Sequence, residues 1–133
     1  MAVISERQIN EQIKKGNISQ IYFIYGEDHF LIKNIVEKIV DVTVTSCPEF
    51  NYNNFKLGAN VQDIYDCVEM MPLMSDRKCV TVCDFNFDKC LVTEFNKMIE
   101  LLEQPNESTV LVFWFETVVP IDKKKSDRIK SVL

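Results

Sequence analysis

The chain has 133 residues, of which 47% are hydrophobic and 26% charged, and its formal net charge is −5 at pH 7. This length and composition predict one domain with a substantial core and leave too little chain for two. The negative charge argues against a protein that binds nucleic acid by itself, because such binding needs a basic surface. No apolar run approaches the ~20 residues that span a bilayer and no signal region opens the chain, so we expect a cytoplasmic protein.

The first two predicted elements are a short helix and a strand. A capping box at residues 5–8 opens the helix, Ile9 and Ile13 form its narrow apolar stripe, and Gly16 closes it. Residues 21–25 are continuously apolar, which is typical of a central strand that is buried on both faces.

A second helix is predicted directly after the glycine that ends this strand. Strand, glycine turn and helix together form the opening of a βαβ unit. Residues 50–55 form a weaker strand, which we place towards a sheet edge, because their asparagines disfavour pairing while their aromatic residues favour it. The helix has two apolar ridges, Leu31, Ile35 and Ile39 on one and Ile32, Val36 and Val40 on the next.

The third predicted helix leads into an apolar connection. Asn60 is a suitable N-cap, and Pro72 stops the helix because its ring cannot occupy a helix interior. Residues 78–83 are β-branched and bounded by polar residues, which predicts a buried strand. The apolar stripe of the helix consists of Val61, Ile64, Tyr65 and Val68.

The last predicted elements complete an α/β domain. Asp88 can cap a further helix that closes at residues 104–106, and residues 109–115 form the strongest strand. Four strands alternating with helices predict a three-layer parallel sheet with helices on both faces. Residues 122–133 begin a helix that stops early, so we expect residues 1–133 to be one N-terminal domain of a longer protein. The stripe of the fourth helix is Leu91, Phe95, Met98, Ile99 and Leu102.

Residues 70–74, called the tip below, place large apolar side chains in the connection between the third helix and its strand. Connections of this kind run over the surface and are usually polar, so exposed apolar residues there predict a protein contact. The alternative is that the tip folds back over the end of its own helix. The candidate contact residues are Met71, Leu73 and Met74, with Met70 and Pro72 beside them.

The sequence after the first predicted strand does not match the Walker pattern of a nucleotide-binding loop. Leu31, Ile32 and Lys33 occupy the places of the second glycine, the lysine and the hydroxyl residue in a Walker loop that starts at Gly26. Both the glycine cradle and the Mg²⁺-binding hydroxyl are therefore missing. Asp84 resembles a Walker B aspartate, but it fits a turn or cap residue equally well.

No other catalytic or metal-binding pattern is present in the sequence. His29 is the single histidine, and the adjacent Glu27 and Asp28 fit capping of a helix start. The cysteines form no C-x-x-C pair, so we interpret them as reduced core residues rather than metal ligands. They are Cys47, Cys67, Cys79, Cys83 and Cys90.

Two stretches together resemble the delta subunit family of the bacterial DNA polymerase III clamp loader. They are residues 22–32 (YFIYGEDHFLI) and residues 70–82 (MMPLMSDRKCVTV), and the resemblance covers essentially the whole chain. It implies an N-terminal, AAA+-like domain of a DNA polymerase III holoenzyme subunit. Such a domain has no working nucleotide site, needs no cofactor and is not an enzyme by itself.

The resemblance also implies a partner for the tip. In this family, bulky residues at this place enter a hydrophobic pocket of the ring-shaped sliding clamp and help to open the ring, which maps the contact onto Met71, Leu73 and Met74. A phenylalanine is familiar at the last position, and the thioether of Met74 can fill a similar pocket with lower selectivity.

The same resemblance implies that the other loader subunits, delta prime and gamma/tau, are bound through downstream domains. DNA is contacted only indirectly or within the full complex at the nucleoid, and this domain alone is expected to be monomeric. Two alternatives remain: an ATP-binding AAA+ or P-loop enzyme with a divergent loop at Gly26, and a flavodoxin-like module with an unrelated partner.

Overall fold

A computed structural model of the chain describes residues 6–25, 28–56, 59–85 and 90–115. The predicted positions Gly26 and Asp88 and the predicted helix at residues 122–133 lie outside them. The elements in chain order are α1 (Glu6–Lys14), β1 (Ile21–Ile24), α2 (His29–Thr43), α3 (Pro48–Asn51), β2 (Tyr52–Phe55), α4 (Val61–Glu69), β3 (Lys78–Cys83), α5 (Val92–Glu103) and β4 (Thr109–Trp114).

The four strands form one parallel sheet in the order β1-β4-β3-β2. The predicted parallel sheet and the edge position of β2 are confirmed. Within the described residues, β1 lies at the other end of the sheet, and its central position stays a prediction because residues 116–133 lie outside the described part of the chain. Its continuous apolarity reflects burial of both faces, and this burial does not require a hydrogen-bonded neighbour on each side.

Helices cover both faces of the sheet, as predicted. Residues of α4 and α5 pack on the face that contains Val80 and Phe113, and residues of α1 and α2 pack on the face that contains Cys79 and Val112. Because neighbouring residues of a strand point to opposite faces, each central strand contributes to both cores. The result is the expected three-layer α/β architecture.

One helix start follows the predicted capping chemistry, and another departs from the prediction. Asn60 caps α4, with its side-chain oxygen 2.7 Å from the Gln62 amide nitrogen. Helix α5 begins at Val92, so Leu91 is its N-cap residue and is 67% exposed. The placement of Leu91 in the core stripe is therefore wrong, because the helical period does not extend to a residue outside the helix.

A short helix before β2 was not predicted. Residues 50–55 were expected to be extended, but α3 occupies residues 48–51 and the strand begins at Tyr52. Pro48 stands at the first position of α3, where its missing N–H costs nothing. Asn54 is accommodated in the strand because the Thr81 hydroxyl of β3 donates a hydrogen bond to its side-chain oxygen at 2.9 Å.

Candidate protein-binding site

The tip follows α4 and presents its apolar side chains to solvent. Met74 is 84% exposed, Met71 74%, Met70 64% and Leu73 43%. The tip therefore does not fold back over its helix, and the inward-packed tip expected for an unrelated flavodoxin-like module is not found. Four large apolar side chains that are exposed side by side along the chain are typical of a surface that binds another protein.

The end of α4 is fixed to the edge of the sheet at which the strands begin. The Val68 carbonyl accepts hydrogen bonds from the Thr109 hydroxyl at 2.9 Å and from the Asn106 side-chain amide at 3.1 Å. Lys78 and Thr109 are the first residues of β3 and β4. The Lys78 ammonium donates to the Cys67 carbonyl. The tip thus projects from the amino edge of the sheet.

Lys78 has an unusual position for a lysine, because only 1% of its surface is exposed. Burial lowers the pKa of its ammonium group, and the nearby Cys67 thiol opposes this effect to a smaller extent. The ammonium supplies the positive charge that favours a helix C-terminus, where α4 has no basic residue of its own in its last turn. Lys78 therefore helps to hold the helix end from which the tip extends.

A second set of hydrogen bonds holds the backbone of the tip. Asn51 is fully buried, and its side-chain oxygen accepts from the Leu73 amide at 2.7 Å. Its side-chain nitrogen donates to the Leu73 carbonyl at 2.7 Å and to the Ser46 carbonyl at 2.8 Å. The Ser46 hydroxyl donates to the Met74 carbonyl at 2.9 Å.

Met74 has a backbone conformation that non-glycine residues seldom adopt. Its φ angle is 52°, in the left-handed region. Left-handed backbone at a non-glycine residue costs about 1–2 kcal/mol, so the surrounding structure must stabilise it. The bond from Ser46 to the Met74 carbonyl is one such support, and the Ser75 hydroxyl, which donates to the Arg77 carbonyl at 3.0 Å, orders the following turn.

The residues of the degenerate Walker pattern lie at the opposite edge of the sheet. On α2, Leu31 is half-buried, Ile32 is buried and Lys33 is exposed. The Asp28 carboxylate caps α2 by accepting from the Leu31 amide at 3.1 Å, which confirms its structural role. Asp84 follows β3 as a buried residue with a φ angle of 55°. Its amide donates to the Trp114 carbonyl at 2.9 Å, so Asp84 continues the pairing of β3 with β4 at the carboxyl edge of the sheet.

Metal binding and membrane insertion find no support in the described part of the chain. The described segments contain no group of three or more histidine, cysteine, aspartate or glutamate side chains that could hold a metal ion. Cys79 and Cys83 are buried in β3, and the other cysteines are half-buried. Among the described residues, no helix is both long and apolar enough to cross a membrane.

Asn51 and Ser46 are the site residues that sequence reasoning missed. They lie 22 and 28 residues from the tip residues that they contact. No periodic pattern reports a contact over such a separation. The one local signal was Asn51 itself, an asparagine inside an apparent strand and three residues after Pro48, since asparagine favours turns and backbone hydrogen bonds over strand pairing.

Comparison with solved structures identifies proteins that share this fold. The Bacillus subtilis DNA clamp loader delta protein superposes with a TM-score of 0.78 at 21% sequence identity, covering 96% of this chain and 40% of that chain. A Thermotoga maritima protein related to the DNA polymerase III gamma subunit superposes with a TM-score of 0.64 at 17% identity, covering 98% of this chain and 44% of that chain. The chain thus has the AAA+-like α/β fold of these proteins and spans less than half the length of either.

A family model identifies the group to which the chain belongs. The model of the DNA polymerase III delta subunit matches residues 22–132. The chain therefore belongs to the DNA polymerase III delta subunit family, as the two stretches at residues 22–32 and 70–82 had indicated. The comparison with curated proteins gave no match.

Proposed function

We propose that this chain is the clamp-binding domain of a clamp-loader delta subunit and that its tip binds the sliding clamp and helps to open the clamp ring. The observation that carries the proposal is an apolar tip that is exposed at its side chains and hydrogen-bonded at its backbone. Family membership supports the same conclusion. Met71, Leu73 and Met74 are the contact residues, with Met70 and Pro72 beside them.

The proposed role requires no catalysis by this domain. The ATP-driven steps of clamp loading and the contacts to delta prime, gamma/tau and DNA belong to other domains and subunits. Family membership also supports the expectation that the protein works in the cytoplasm. The domain then presents the tip to the clamp, and it contributes to clamp binding the free energy that is gained when the tip enters an apolar pocket of the clamp.

The size of that contribution can be estimated from the side chains. Burial of one leucine or methionine side chain is worth about 1.5–3 kcal/mol. Leu73 and Met74 together can therefore supply about 3–6 kcal/mol. Micromolar to nanomolar affinity corresponds to about 8–12 kcal/mol, so these two side chains would provide a large share of the binding free energy.

The test is the double substitution Leu73→Ala and Met74→Ala. We expect clamp affinity to fall by about a hundredfold or more, measured by calorimetry or surface plasmon resonance. We expect the melting temperature to stay close to that of the unsubstituted chain, because both side chains are exposed.

A matched control is available at the opposite edge of the sheet. Leu91 and Val92 are 67% and 75% exposed, and their replacement by alanine removes a similar apolar area. This control should retain full clamp affinity. If the tip substitutions lowered the melting temperature strongly and left clamp affinity unchanged, the tip would be part of the core and the assignment would be wrong.

A further inference from the structure

We propose that Asn51 is a positioning residue for clamp binding, which holds the tip in its binding conformation before the clamp is met. The inference rests on the proposed function and assigns a role to a residue outside the tip. It starts from the geometry of one buried amide. Both the oxygen and the nitrogen of the Asn51 side chain bond the backbone of Leu73, each at 2.7 Å.

This pair of bonds fixes Leu73 more firmly than a single contact would. The amide engages the N–H and the C=O of the same residue, as a neighbouring strand does in an antiparallel pair. The third bond of the amide, 2.8 Å to the Ser46 carbonyl, ties it to the loop before α3. Asn51 has no exposed surface, so water does not compete for these bonds.

Ser46 extends the same support to the next residue of the tip. Its hydroxyl bonds the Met74 carbonyl at 2.9 Å, and Met74 is the residue with a φ angle of 52°. Side chains from one short segment, residues 46–51, thus hold two consecutive backbone units of the tip. These two units belong to two of the three proposed contact residues.

Preorganisation explains why this support would affect binding. A loop that must be ordered on binding loses conformational entropy, and this loss reduces the affinity. A tip that is already held in place avoids most of that loss. Replacement of Asn51 should therefore weaken clamp binding although its side chain is buried and lies outside the proposed contact surface.

The experiment compares Asn51→Ala with Asn53→Ala in the 133-residue chain. Asn53 is a matched control, because among the described residues its side chain bonds only the Phe50 carbonyl, at 3.4 Å, and does not bond the tip. We expect Asn51→Ala to reduce clamp affinity about tenfold and Asn53→Ala to leave it unchanged. A linear peptide of residues 70–77 should bind the clamp more weakly than the whole chain, and Asn51→Ala should narrow this difference.

A second measurement reports on the tip without the clamp. Hydrogen exchange of the Leu73 amide, followed by NMR, should be slow in the unsubstituted chain and in Asn53→Ala, and fast in Asn51→Ala. This readout separates the two proposals. Suppose that the Leu73 amide exchanged as expected but that the unsubstituted chain did not bind the clamp. The proposed function would then be wrong, and Asn51 could not position the tip for clamp binding. The finding that Asn51 orders the backbone of the tip would remain.

Two further results decide the remaining cases. If Asn51→Ala does not fold, Ser46→Ala replaces it in the experiment. Ser46 is half-buried, and its replacement by alanine removes only the side-chain hydrogen bond to the Met74 carbonyl. Ser46→Ala should still weaken clamp binding several-fold. A folded Asn51→Ala protein with a fast-exchanging Leu73 amide and unchanged clamp affinity would overturn the proposal. Unchanged affinity in Ser46→Ala would overturn it in the case where Ser46→Ala is the variant used.

Discussion

Cys79 illustrates how burial changes the chemistry of a single residue. Its side chain has no exposed surface, and burial raises the pKa of its thiol to about 12. Burial penalises the thiolate, so the thiol is held in its protonated, unreactive form at neutral pH. This agrees with the prediction from sequence that Cys79 is a core residue.

The raised pKa predicts a loss of stability in alkaline solution. In the unfolded chain the Cys79 thiol deprotonates near pH 9, whereas in the folded chain it keeps its proton up to about pH 12. The unfolded state therefore binds fewer protons in this window, and the free energy of unfolding falls as pH rises through it. Between pH 8 and pH 10, Cys79 alone should remove about 1.4 kcal/mol of stability.

Cys79→Ala should lessen this alkaline loss, measured by urea unfolding at pH 8 and pH 10, even though the substitution lowers stability at both. Val80→Ala is the matched control, because Val80 is an equally buried neighbour on β3 that does not titrate. It should lower stability at both pH values and keep the alkaline loss of the unsubstituted chain. Equal losses in Cys79→Ala and Val80→Ala would contradict the assignment.

At the scale of one element, α4 shows which features a sequence can reveal. Its start at the Asn60 cap and its stop before Pro72 were predicted, because capping and the proline ring act within a few residues. The hydrogen bonds that anchor its C-terminal end were not predicted. The bonds to the Val68 carbonyl come from Asn106 and Thr109, which lie 38 and 41 residues away, so only the tertiary fold brings them together.

The anchor leads to a prediction of non-additive stability. Val68 is buried, and each single change, Thr109→Val or Asn106→Ala, leaves one hydrogen bond to its carbonyl in place. The double change leaves a buried carbonyl without either donor, at a cost of about 1–3 kcal/mol for the unsatisfied group. We therefore expect the double variant to be destabilised by about 1 kcal/mol more than the sum of the single variants.

Urea unfolding of the four proteins measures this coupling. Asn106→Ala also removes the hydrogen bond that the Ser108 amide donates to the Asn106 side chain at 2.9 Å. This loss occurs in the single Asn106 variant and in the double variant alike, so it cancels from the coupling free energy. Additivity within about 0.5 kcal/mol would mean that the two donors do not share the carbonyl in solution.

At the scale of the whole molecule, alternation of strands and helices was enough to predict the three-layer parallel sheet. The strand order was predicted only in part, because a continuously apolar strand such as β1 looks the same at the end and in the middle of a covered sheet. The exposure of the apolar connection after α4 was predicted and is found, although the sequence alone left an inward fold as an alternative.

The two edges of the sheet separate the proposed function from its main alternative. The tip lies at the amino edge, whereas parallel α/β sheets bind nucleotides at the carboxyl edge. At the carboxyl edge, Leu31 and Ile32 stand where a Walker loop needs its second glycine and its lysine. Leucine and isoleucine side chains cannot replace a backbone cradle for phosphate or a charge that neutralises it.

We therefore expect a titration of the chain with fluorescent ATP to show no Mg²⁺-dependent binding at micromolar concentration. Asp84→Asn is the informative variant, because Asp84 is a buried carboxylate directly after β3, the position at which a Walker B aspartate would stand. In a divergent nucleotide-binding enzyme, ATP would bind at micromolar concentration with turnover, and Asp84→Asn would weaken both by removing a ligand of Mg²⁺. That pair of results would favour the enzyme. Equal, negligible signals from the unsubstituted chain and from Asp84→Asn would agree with a domain whose binding surface is the tip.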